Sequence, residues 1–214
     1  MSSAKSTQIL EEIANSSSHI LGFLMGIAGS VVLIINCPRG FLNIQQKASL
    51  FAFQFSLLIL FACSAAYHSC TNIRWKHHFR QADHAAIFIY IAGTYSAYCL
   101  LPDHIESGLL LMHVWALALA GVVFKLFFAG RWPFLSTLLY LLLGWLIIWY
   151  RHVLEALPHE TLLFLIAGGL SYTCGTFFYM WRKLPFHHLI WHIWVIFGSI
   201  FHYLGILSIL KKWV

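Results

Sequence analysis

Charge is scarce in this sequence. Its 214 residues include 13 Lys and Arg and 7 Asp and Glu, or 9% charged, where soluble domains carry about 25%. With 60% of residues apolar or aromatic and a mean hydropathy of +0.78, there is too little polar side chain to cover a water-facing surface, which excludes a cytosolic globular fold. The formal charge of +6 would suggest a nucleic-acid partner in a soluble protein. In so apolar a chain it reads as loop charge facing anionic lipid, with membrane lipids as partners and no nucleic acid. Cys37, Cys63, Cys70, Cys99 and Cys174 include no C-x-x-C pair, so neither a disulfide framework nor a thiolate zinc site is indicated. They read as small core residues. Low-complexity tracts and clear internal repeats are also lacking.

What is present is a series of apolar runs. Seven can be marked off: His19 to Ile35, Ala48 to His68, Ala82 to Leu101, Gly108 to Phe128, Pro133 to Tyr150, Thr161 to Trp181 and His187 to Leu210. At about 20 residues per span, seven spans use roughly 140 residues and leave no room for a soluble domain of useful size. Only a helix closes its backbone hydrogen bonds internally in lipid without a barrel. The expected fold is therefore all-α, a single domain over residues 1–214 built as a seven-transmembrane helix bundle, with residues 1–18 as a short cytoplasmic N-terminal segment. Glu11 and Glu12 precede the first run and no small-residue cleavage site follows it, so that run reads as a retained anchor. Gly22-x-x-x-Gly26 and Ser171-x-x-x-Gly175 mark places where neighbouring helices approach closely.

Loop charge sets the orientation. If the N-terminus and the even loops share a side, that side holds Lys5, Arg74, Lys76, Arg80, Lys125, Arg131, Arg182 and Lys183. The other holds Arg39, Lys47, Arg151, Lys211 and Lys212, together with Asp103, Glu106, Glu155 and Glu160. The bias puts the N-terminus in the cytoplasm and, with seven spans, the C-terminus outside; in a bacterium the location is the inner membrane.

Thirteen histidines is a high count for such a chain. His77, His78, His104, His152 and His159 fall in expected loops and read as solvated or headgroup-facing. His113 reads as an interhelical hydrogen bonder. Asp83 is the one acid clearly inside an apolar run. It is either an N-terminal cap, as it opens the third run beside His84, or a functional group. His188 and His192 stand at i and i+4, one turn apart on one helix face, where two imidazoles can bind one metal ion. Ser64 and His68 have the same spacing at the end of the second run. With alternating topology the ends carrying His68, Asp83, His188 and His192 all reach the cytoplasmic side. Three neutral imidazoles suit a zinc ion and leave a fourth position open for water. Asp83 can then orient or deprotonate that water, and Ser64 can donate to a developing oxyanion. A closed zinc site that only pins helices together fits the same spacing.

Taken in order, Glu12-x-x-Asn15-x-x-Ser18-His19-x-x-Gly22, Ser64-x-x-Tyr67-His68, Asp83-His84-x-x-Ile87, Ile91-Ala92-Gly93-Thr94-Tyr95 and His188-x-x-x-His192 with Gly198 and His202 resemble the hemolysin III family. That family is related to the progestin and adipoQ receptors and, more distantly, to the alkaline ceramidases. The resemblance runs from about Glu11 to Leu210. It implies a seven-helix fold with a cytoplasmic N-terminus and a zinc ion near the inner leaflet. By analogy with the adiponectin receptors it implies metal ligation by His68, His188 and His192, with Asp83 acting through water and Ser64 nearby. It also implies either a lipid amidohydrolase of the ceramidase kind or, from the family's name, a pore-forming cytolysin or receptor-like regulator. Ala97 stands where many members have Pro, which straightens the third helix, and His187 where Asn is common. His19 is open between a partner of the metal ligands and a headgroup anchor. His202, ten residues beyond His192 and about 15 Å along the axis, cannot share the ion and reads as a buried hydrogen bonder or a cavity residue.

Overall fold

The computed structural model describes residues 2–37, 40, 42–102 and 107–211, with side chains from residue 6 onward. Arg39, Asp103, His104, Glu106, Lys212 and the side chain of Lys5, all used above, lie outside it. Among the described residues every regular element is helical: α1 (Ser2–Asn36), α2 (Ile44–Ser69), α3 (Ile73–Leu100), α4 (Ser107–Phe128), α5 (Pro133–Gly144), a 3-10 turn (Leu146–Trp149), α6 (Arg151–Ala156), α7 (His159–Met180) and α8 (His187–Lys211).

Local sequence explains several boundaries. The Asn43 side chain accepts from the Gln46 N–H at 2.9 Å, and the Gln46 side chain accepts from the Asn43 N–H at 3.0 Å. This reciprocal box satisfies two of the donors that a helix start leaves free. Asn72 caps α3 by accepting from the N–H groups of Arg74 and Trp75. Pro133 begins α5, where its missing N–H costs nothing.

Five helices are long and apolar enough to cross a membrane: residues Ser6–Asn36, Ile44–Ser69, Ser107–Phe128, His159–Met180 and His187–Lys211. Their outward faces carry exposed large apolar side chains such as Leu24, Ile35, Phe51, Leu117, Leu163 and Phe177, which only a lipid environment tolerates in such number. α3 has the length of a span but a mixed composition. It packs against α2, α4, α5 and α8, and from Ala92 to Cys99 it is buried without interruption. A helix enclosed by other helices has no lipid to face, so Gly93, Thr94, Ser96 and three tyrosines are compatible with its position.

The expected run Pro133 to Tyr150 is not one helix. α5 has 12 residues, a rise of about 18 Å against roughly 30 Å of hydrocarbon. The break that follows is held by Tyr95 of α3. Its hydroxyl donates towards the carbonyls of Gly144 (2.8 Å) and Leu143 (3.1 Å) and accepts from the Ile147 N–H at 3.0 Å. Irregular backbone at membrane depth persists where protein groups satisfy it.

The N-terminal segment also differs from expectation, because residues 2–18 continue α1 as a single helix. Asp83 does not open a helix: α3 begins at Ile73, and Asn72 does the capping. The cap reading is thereby removed. Arg74, Lys76 and Arg80 belong to α3 and Lys125 to α4, so these four charges are not loop charges. His77, His78, His152 and His159 are exposed as expected, although on helices. His113 shares a 2.8 Å hydrogen bond with Tyr150. Cys99 is buried, whereas Cys174 is exposed, so the thiols are not uniformly core residues.

α1 packs on α2 and α8, α2 on α3, α3 on α4, and α7 on α8, while α5 touches α3, α4 and α7 only sparsely. Two hollows follow. A central cavity of about 170 Å³ lies among the helices, and an apolar groove runs between α5 and α7 along Phe134, Leu138, Phe177 and Met180. Thr137, Leu141 and Thr176 line both.

Candidate metal centre

The one group of metal-binding side chains among the described residues consists of His68 at the end of α2 and His188 and His192 in the first turns of α8. One ligand nitrogen from each lies within 4.8 Å of the other two. Ring centroids are 5.0 Å apart for His68 and His188, 5.0 Å for His68 and His192, and 4.6 Å for His188 and His192. The i, i+4 spacing aligns the α8 pair, and the packing of α2 in the bundle brings up the third ring.

Hydrogen bonds fix which nitrogen the rings of His68 and His192 present. His68 Nδ1 is 2.9 Å from Glu12 Oε2; a carboxylate only accepts, so the proton sits on Nδ1. The opposite atom, Nε2, is buried with no hydrogen-bond partner. His192 Nδ1 lies 3.2 Å from the Asn15 carbonyl and 3.0 Å from the Ser18 hydroxyl. A carbonyl also only accepts, so His192 Nε2 carries the lone pair. An imidazole whose Nδ1–H is held by a carboxylate or carbonyl while Nε2 stands free is the arrangement that orients histidine towards a metal. The donor set therefore fits a nitrogen-liking cation such as zinc, and these three residues could hold one.

α1 supplies the groups that the spacing argument missed. Glu12 serves His68 and also lies 3.2 Å from Lys76 Nζ. Glu11 accepts from the Phe186 N–H at 3.0 Å and ties α1 to the approach of α8. His19 stacks on His192 with centroids 3.6 Å apart; it is 3% exposed, which excludes the headgroup-anchor reading. Glu12, Asn15, Ser16 and His19 follow i, i+3, i+4, i+7 spacing, so one face of a helix could have been read there had the segment been taken as helical.

Asp83 lies outside the three-histidine group and lines the same cavity as His188, His192, His19 and Ser64. Ser64, 1% exposed, is one turn before His68. His202 also lines this cavity, with both ring nitrogens buried and unpartnered, so it is a cavity residue and not a hydrogen bonder. Substituting Gln for Glu12 is expected to weaken metal binding about 10- to 100-fold by removing the charge that makes His68 basic. Competition with a chromophoric chelator measures it.

A bundle of apolar helices around an internal cavity, with three convergent imidazoles of which His188 and His192 line that cavity, defines a multi-pass membrane protein with a potential metal centre. Residues 7–203 match the family model described as Haemolysin-III related. The "Hemolysin-3 homolog" of Bacillus subtilis (strain 168) is 42% identical over 193 residues, covering 89% of this chain and 90% of the relative. "Hemolysin-3" of Bacillus cereus is 36% identical over 193 residues, covering 89% and 88%. The human "Monocyte to macrophage differentiation factor" is 26% identical over 218 residues, covering 94% and 85%. The chain belongs to the Haemolysin-III related family, in keeping with a multi-pass location in the bacterial inner membrane.

Proposed function

We propose that this protein is a zinc-dependent hydrolase of lipid acyl bonds, amide or ester, that crosses the inner membrane seven times from a cytoplasmic N-terminus and serves membrane lipid homeostasis. The observation that carries the reading is the position of the three histidines. A structural zinc site is closed on itself, whereas His188 and His192 face a cavity whose other walls include Leu60, Ile87, Leu165 and Val195. That cavity suits an acyl chain.

In this reading His68, His188 and His192 would hold the ion, and Glu12, Asn15 and Ser18 keep the rings of His68 and His192 in the binding tautomer. Zinc bound there supplies a Lewis acid that polarises an acyl carbonyl and acidifies a neighbouring water. Asp83 takes up and returns a proton at its carboxylate. Ser64 donates a hydrogen bond to the carbonyl oxygen as charge grows on it. The apolar cavity wall excludes bulk water from that hydrogen bond.

The name "Hemolysin-3" of the Bacillus cereus relative supports a second reading, a pore-forming cytolysin or receptor-like regulator whose metal pins helices. One experiment separates the two. Protein reconstituted without added metal is assayed for bound zinc, for fatty acid released from a panel of amide and ester lipids, and for leakage of dye-filled liposomes. Release that stops on chelation and returns with zinc is expected. Leakage that persists after chelation, with no release from any lipid, overturns the hydrolase.

A further inference from the structure

The cavity has a second polar end that the metal reading does not use. Lys125, in the last turn of α4, is 1% exposed. Its ammonium meets the Ser136 hydroxyl and lies 5.3 Å and 5.9 Å from the ring centroids of Phe124 and Tyr140. Arg80 of α3, Arg131 between α4 and α5, and Arg182 after α7 line the same cavity and are exposed at its mouth. Among the described residues none of these four cations has a carboxylate within ion-pair distance. Among the described residues Asp83 is the only acid lining the cavity.

The turn at residue 130 is shaped around one of these groups. Gly130 has φ +78°, and a Cβ there would fall 2.4 Å from Arg80 Cζ, so the backbone lies directly against the guanidinium. A hydroxyl and two ring faces do not replace the water an ammonium loses on burial. A buried charge normally pairs with an opposite charge. Here four basic side chains from separate stretches of chain converge on one hollow, and the protein provides a single acid. Of the four only Lys125 is buried, and an anionic ligand held between it and the three guanidinium groups at the mouth would supply the counter-charge it lacks. Guanidinium forks match phosphate oxygens in pairs, and an ammonium serves as a point charge.

We infer that Lys125, Arg80, Arg131 and Arg182 form a phosphate subsite. Resting on the hydrolase reading above, this makes the substrate an acyl lipid that carries a phosphate group, in place of an uncharged ceramide-like one. The same oxygens could arrive on a lipid headgroup or as free phosphate.

The test uses the full chain in uncharged maltoside micelles and titrates dihexanoyl phosphatidic acid, the matched uncharged dihexanoylglycerol, and inorganic phosphate. The phosphatidic acid is expected to bind at least tenfold more tightly than the glycerol, with a preference that falls as salt rises. Lys125→Met and Arg131→Gln each remove most of that preference, and Lys125→Arg keeps it. His188→Ala, which strips a metal ligand, leaves the preference intact, so the phosphate subsite and the metal reading fail separately. If inorganic phosphate displaces the lipid at equal concentration, the subsite serves free phosphate; if it does not, the subsite reads the headgroup. Equal binding of the two lipids by the native protein, or an unchanged preference in the variants, overturns the inference. If Lys125→Met does not fold, Arg131→Gln and Arg182→Gln at the exposed mouth decide the matter.

Discussion

Protein carrying His192→Ala is expected to retain no zinc after dialysis, where the native chain retains one ion. Zinc held by protein ligands is worth about 10–16 kcal/mol in small structural sites. Divided among three imidazoles, each supplies roughly 3–5 kcal/mol, a loss of several hundredfold or more in affinity. His192 is a demanding position for a second reason. Its ring is 1% exposed and is held between His19, stacked at 3.6 Å, and the Asn15 carbonyl. His202→Ala is the matched control: it removes an imidazole from the same helix and the same cavity, ten residues away, and should leave the metal content unchanged. Metal analysis on both variants, beside a thermal melt to show that each is folded, checks the pair. Zinc retained at one per chain in His192→Ala would remove the three-histidine centre.

The second large effect is expected at Gly93. A Cβ at this position of α3 would lie 2.1 Å from Ser56 Oγ and 2.7 Å from the Ala52 carbonyl of α2. A hydroxyl can turn away, but a main-chain oxygen within a helix cannot, so α2 and α3 would have to separate. Gly93→Val should destabilise the protein by about 3 kcal/mol or more. Because α2 carries His68 and α3 carries Asp83, the same shift should lower metal retention. Gly108→Ala in α4 is the contrast, since nothing lies within 4 Å of a Cβ there; it should be neutral or stabilising by up to about 1 kcal/mol. Thermal denaturation in a common detergent measures both. An unperturbed melt for Gly93→Val would mean that the close contact of α2 and α3 is not required.

How much of this was legible in the sequence depended on whether a signal was local. The apolar runs became helices because a backbone in lipid has little alternative. His188 and His192 could be paired because their spacing alone puts them on one face, and His68 joined them because the end of its run pointed to the same side. The errors came where hydropathy was averaged over a helix that has two kinds of face. Residues 2–18 looked like a polar tail because Glu11, Glu12, Asn15 and Ser18 are polar, yet the side chains of Glu11, Glu12 and Ser18 and the main-chain carbonyl of Asn15 hold Phe186, His68 and His192 in place. The start of α3 was hidden by Arg74, Lys76 and Arg80, so Asp83 was assigned to a helix end it does not occupy. Lys125 was counted with the loop charges because it stands near the end of its apolar run, and only the packing against Ser136 and Tyr140 reveals an interior ammonium. The break after Gly144 left no trace in composition, since the group that repairs it, the Tyr95 hydroxyl, comes from another helix.

Only one layer of side chains, Thr137, Leu141 and Thr176, separates the central hollow from the apolar groove between α5 and α7. A chamber walled so thinly on its hydrocarbon side samples the two-dimensional solution around it. Its occupancy therefore follows the mole fraction of a ligand among its neighbours and not the bulk amount in the sample. Diluting a fixed quantity of that ligand into twice as much inert amphiphile halves the supply, while changing the aqueous volume does nothing.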